Sequence, residues 1–118
     1  MAIAPLNEFR SKCLDLTSQL QDILVVPVSV ATIVLDARAI NVTGIDPHPV
    51  PLNAYLTVRL TKLEGNEIII VPEMEVPPND SLEFISGKFI MEEGDILSAK
   101  ADEVQRLQLS ISYLETSA

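Results

Sequence analysis

Apolar and polar side chains alternate at a period of two along most of this chain. In residues 54–61, Leu56, Val58 and Leu60 fall on one side and Tyr55, Thr57, Arg59 and Thr61 on the other. Successive side chains of a strand point to opposite faces, so this pattern predicts a half-buried antiparallel strand. Residues 107–113 repeat it, with Leu107, Leu109, Ile111 and Tyr113 facing inward. Two Val- and Ile-rich runs, 20–26 and 30–42, predict further strands separated by Pro27, which has no N–H to give a ladder. The short apolar run 67–71 forms a hairpin with Leu60 about Gly65-Asn66. Residues 81–85 and 88–91 flank Ser86-Gly87, either a bulge in one long strand or a tight turn between two short ones. Glu92-Glu93-Gly94-Asp95 reads as a turn, after which 96–101 is expected to pair back as the next strand. Helix competes only over 15–23 and 99–107, and neither shows a sustained i, i+3, i+4, i+7 stripe. The expectation is an all-β fold: a single antiparallel β-sandwich, jelly-roll or Ig-like, of about eight strands. It fills residues 1–118, with an extended N-terminal arm over 1–9 and a Pro-rich connection over 44–53.

That connection differs in kind from the strands. Pro47, Pro49 and Pro51 alternate around His48 and Val50, which fixes φ and predicts an extended, polyproline-like segment. It is either a stiff link between two strands or a preformed contact arm that loses little entropy on binding. In the N-terminal arm, Ile3, Leu6 and Phe9 are apolar beyond what an eight-strand core needs, so they are candidates to bury against a neighbour. The candidate partner contacts are therefore Ile3, Leu6, Phe9, Pro47, His48 and Pro49.

Charge narrows the partners. Residues 1–63 and 104–118 are each neutral, whereas 64–103 hold eleven acids against Lys88 and Lys100, the whole net charge of −9. Such a balance argues against binding nucleic acid or an anionic membrane, both of which select Lys and Arg. If the acidic stretch folds onto one side, the molecule has an acidic face and a neutral one available to a partner. No window approaches the roughly 18 apolar residues of a membrane span. The first eight residues lack the basic and apolar regions of a secretory signal. Asn41-Val42-Thr43 matches a glycosylation acceptor and is expected to be accidental.

The parts of an active site are scarce. His48 is the single histidine and has no local Ser or Cys partner; Cys13, beside Leu14, is expected to be a small core residue. The carboxylate groups Glu73/Glu75, Glu92/Glu93/Asp95 and Asp102/Glu103 suit glycoside chemistry or Ca²⁺ by residue type. They match no defined calcium loop, and a chain without Trp has little with which to stack a sugar. No phosphate loop, H-E-x-x-H or C-x-x-C is present. The chain is expected not to be an enzyme and to need no cofactor or metal.

The order Phe9-Arg10-Ser11-Lys12, Leu16-Thr17, Val25-Val26-Pro27 and Asn41-Val42-Thr43 resembles small virion structural proteins of tailed bacteriophages. So do Val76-Pro77-Pro78-Asn79-Asp80-Ser81-Leu82, the run from Gly87 to Asp95, and the closing Leu109-Ser110-Ile111-Ser112-Tyr113-Leu114-Glu115. The Pro47–Pro51 segment departs from that pattern. The resemblance implies a β-sandwich used repeatedly in a particle, with no catalytic residues. It is most readily a capsid cement (decoration) protein that assembles as a homotrimer on the capsid surface and bridges neighbouring major capsid protein subunits. The alternatives are a neck or tail adaptor, collar or fibre-base protein, or, in another class, a small carbohydrate-binding β-sandwich.

Overall fold

The computed structural model describes residues 7–47 and 49–117. Eight strands alternate with turns: β1 (Asn7–Asp15), β2 (Gln21–Val25), β3 (Val30–Asn41), β4 (Ala54–Thr61), β5 (Glu67–Val76), β6 (Ser81–Met91), β7 (Ile96–Ala101) and β8 (Leu107–Ser117). They form two four-stranded antiparallel sheets, ordered β1-β8-β3-β6 and β2-β7-β4-β5. Strand n thus pairs with strand 9 − n, and β8–β3 and β7–β4 join the pairs within each sheet. Rolling one long hairpin in this way is the jelly-roll topology, which decides between the two sandwich types the sequence allowed.

The core lies between the sheets. β8 sends in Leu107, Leu109 and Ile111; β4 sends in Ala54, Leu56, Val58 and Leu60; β7 adds Leu97, Ala99 and Ala101. In the β3–β8 register Ala37 lies opposite Ile111 and Ala39 opposite Leu109, so small residues make room for large ones. Leu35 is the extra residue of a bulge against β8, and against β6 it stands alone opposite Gly87 and Lys88; the alternation is reset so that Val34 and Ala37 both point inward. Gly87, at φ +86°, lies in the same irregularity on β6, making residues 81–91 one bulged strand.

Several expectations change. No helix forms among the described residues. Residues 7–9 belong to β1, paired with β8 from Asn7↔Thr116 to Asp15↔Gln108, and are not a free arm; Ile3 and Leu6 lie outside the described residues. Cys13 is exposed, not core: Leu14 faces Leu109 inward, so its neighbour must face out, opposite Ser110. β7 does not pair back on β6. The 92–95 turn crosses from one sheet to the other, and β7 pairs with β2 and β4. The acidic stretch is shared between the sheets for the same reason, with β6 in one and β5 and β7 in the other, and β5 and β6 meet along the same edge of the sandwich.

Candidate interaction surfaces

The turns 16–20, 42–53, 77–80 and 102–106 gather at one end of the sandwich. Their organiser is Asn41, fully buried at the end of β3. Its Nδ2 donates to the carbonyls of Leu52 (2.8 Å) and Val76 (2.7 Å), and its Oδ1 accepts from Thr43 N–H (2.9 Å). The Thr43 hydroxyl lies 2.6 Å from that Oδ1 and 2.8 Å from Leu52 O, and accepts from Leu52 N–H at 2.9 Å. These bonds tie the exit and the return of the Pro-rich connection together. They also bury the side-chain amide of the glycosylation match.

A second set of bonds seats the 102–106 turn beside it. Arg106 N–H groups donate to Asn53 O and to Asp102 Oδ2, both at 3.0 Å, while Asp102 Oδ1 accepts from Tyr55 N–H at 3.1 Å. Val42 N–H donates to Arg106 O at 3.0 Å. The connection is not extended throughout: it turns between Thr43 and Pro47, with Gly44 at φ +85°. A side chain at Gly44 would put its Cβ 3.3 Å from Pro51 Cβ, so the turn is closely packed as well as left-handed.

What this end presents to solvent is apolar. Ile45, Val50, Leu52 and Val104 are exposed, Val50 to 63%. Hollows of about 490 and 370 Å³ share Pro47, Val104 and Gln105; Ile45 lines the first, and Pro49, Val50 and Leu52 the second. Pro47 and Pro49, singled out from the sequence, therefore meet Val104, which was not. His48 lies outside the described residues. Val104 sits in a stretch of helix-like composition, and only the pairing of β7 and β8 with their neighbours brings it here.

A second apolar surface crosses the outer face of the β1-β8-β3-β6 sheet. The registers Phe9↔Leu114, Ile33↔Leu114 and Ile33↔Ile90 place these four side chains in one row over all four strands. Phe9 is 75% exposed and Ile90 64%. Phe9, placed by the sequence reading in a free arm, is thus exposed as part of a sheet. On the inner side of the same stretch of β1, Arg10 bridges Glu8 and Glu115. The hydrogen bond to Glu115, then the charge of Glu8, raises its pKa above the ordinary arginine value.

The opposite end of the sandwich is acidic, and its carboxylates are structural. Asp95 Oδ2 accepts from Lys62 Nζ (2.7 Å) and from Glu92 N–H (2.9 Å), closing the 92–95 turn on the 62–66 turn. Glu93 accepts from Ser29 N–H. Lys62 is held charged above its ordinary range by the hydrogen bond to Asp95, helped by Glu92. Among the described residues no group of three or more His, Cys, Asp or Glu side chains is placed to hold a metal ion.

No family model matches this chain, and no curated protein matches it. A chain from Bacillus endospore appendages, described as forming a family of disulfide-linked pili, aligns over 96% of this chain and 88% of its own. Its TM-score is 0.55 and its identity 8%, which makes the likeness one of fold. Two structures of a pentameric capsid protein from metagenomic phage sequences align over 91% of this chain at 12% identity and a TM-score of 0.42. This chain covers 61% and 60% of them.

Proposed function

We propose that this chain is a non-enzymatic structural subunit of a virion: a cement protein on the capsid surface that assembles with itself, as a trimer, and bridges neighbouring major capsid subunits. The observation that carries this reading is the apolar platform of Ile45, Val50, Leu52 and Val104, held in place by the buried Asn41–Thr43 network. A surface that is both apolar and pre-ordered binds without the entropic cost of ordering a loop. The jelly roll supports the same reading, since its two packed sheets leave such end loops free to vary around a rigid frame. The fold shared with the spore-appendage chain agrees with a particle or filament subunit. Disulfide linkage in series needs two thiols per subunit, and these 118 residues hold Cys13 alone, so they cannot form such a series by themselves.

The test is add-back of purified protein to particles that lack it, followed by sedimentation. Val50→Ser with Val104→Ser is expected to abolish co-sedimentation while leaving the circular dichroism spectrum and thermal unfolding unchanged. Undiminished attachment by that variant contradicts the platform as the capsid contact.

A further inference from the structure

Four strands border the two sheets, β1 and β6 in one, β2 and β5 in the other. An edge strand offers unpaired N–H and C=O groups to any passing chain, and proteins blunt such edges with proline, bulges, short length or charge. β5 carries Pro72 and two register shifts, β6 two shifts, and β2 is five residues long with one. β1 has none of these. It runs nine residues, about 30 Å at 3.4 Å each, without proline, and its ladder to β8 is unbroken. Charge alone guards it: Glu8, Arg10 and Lys12 lie on the inner side, where Leu14 meets Leu109.

We propose that β1 pairs antiparallel with β1 of a second copy of this chain, about a two-fold axis through Phe9, merging two four-stranded sheets into one of eight strands. Opposed residues in this register sum to 18, so Asn7–Ser11 of the two copies pair, Glu8 of each meeting Arg10 of the other and Phe9 meeting Phe9, while Lys12–Asp15 extend past Asn7 of the other copy. Neighbouring registers fail: a centre at Arg10 or Lys12 opposes like charges on themselves, and a centre at Ser11 sets Arg10 against Lys12 twice. The same charges that repel an unrelated strand thereby select a second copy. β1 is also neutral as a unit (Glu8, Asp15, Arg10, Lys12) within a chain of net charge −9, so two copies approach there with least repulsion. The pairing makes the row Ile90–Ile33–Leu114–Phe9 continuous with its symmetry mate, placing an aromatic pair at its centre. The contact is isologous and adds to any ring contact, linking one trimer to the next. It rests on the self-association named in the proposed function; particle attachment is read separately through Val50 and Val104, so each can fail while the other stands.

The test uses the full chain. Light scattering on the eluted protein should give an even number of subunits. In a Cys13→Ser background, Phe9→Cys with a mild thiol oxidant should give a cross-linked pair, because directly opposed Cα atoms lie about 4.5–5.5 Å apart, within disulfide reach. Ser11→Cys in that background, and native Cys13, would stand about 13 and 27 Å from their mates and should not cross-link. Arg10→Glu should halve the subunit number, and Glu8→Arg combined with Arg10→Glu should restore it. An odd subunit number, or cross-linking strongest through position 11 or Cys13, overturns the proposal.

Discussion

Replacing Asn41 by Ala removes the side chain that holds both ends of the Pro-rich connection. Four hydrogen bonds go with it: two donated to Leu52 O and Val76 O, and two accepted from Thr43. A typical bond of this kind contributes about 1 kcal/mol net, so the first sum is about 4 kcal/mol. The Thr43 hydroxyl can turn to Leu52 O, 2.8 Å away, and recover one of them. Val76 O cannot be rescued in that way, and the expected cost is about 3 kcal/mol. Urea unfolding followed by far-ultraviolet circular dichroism measures it, as a lower midpoint at unchanged slope. Asn41→Asp is the close isostere, and it should cost at least as much, since it turns a buried carboxylate toward two carbonyl oxygens. A loss below about 1 kcal/mol for Asn41→Ala would refute the network as the device that orders this end.

Further outcomes follow from the same geometry. Leu109→Ala, at a side chain 1% exposed, should cost about 2–5 kcal/mol; a cost below about 0.5 kcal/mol would mean that β8 faces the other way. Gly94→Ala should destabilise more than Gly65→Ala. Both glycines have positive φ, worth about 1–2 kcal/mol to any L-residue. A Cβ at Gly94 would also come within 2.5 Å of Leu63 Cδ1 and 2.9 Å of its Cβ, whereas one at Gly65 meets nothing within 4 Å. Lys62 has a raised pKa in the folded chain, so its contribution is fully present below 10.5 and is lost as pH rises through the raised value. Melting temperatures taken along the alkaline limb should therefore fall less steeply for Lys62→Met than for the unaltered chain.

Much of the fold was legible as period-two alternation. β4 and β7 lie where the pattern puts them, and the β4–β5 hairpin does pair Leu60 with Ile68. β5 was read short because Pro72 looked like a stop. On an edge strand a missing N–H costs no ladder bond, and pairing resumes to Val76. β1 was missed because its inward positions are Glu8, Arg10 and Lys12, which form ion pairs or reach a backbone carbonyl (Lys12 to Ile23 O) instead of filling the core. A strand of that kind leaves no apolar stripe to find. Cross-sheet connection was equally hidden: a turn such as 92–95 reads the same whether it returns to its own sheet or crosses to the other. That single ambiguity decided where the acidic stretch would go. It also concealed the meeting of Val104 with Pro47 and Pro49, which lie more than fifty positions before it along the chain.

The proposed role turns on how many copies a particle carries. Quantitative mass spectrometry of purified particles, calibrated against the major shell protein, measures that number directly. The cement reading predicts a ratio near one copy per shell subunit, or a simple fraction of it repeated over the whole lattice. A few to a few dozen copies per particle would contradict it and move the chain to the neck or tail, and absence from particles would contradict the virion reading as a whole.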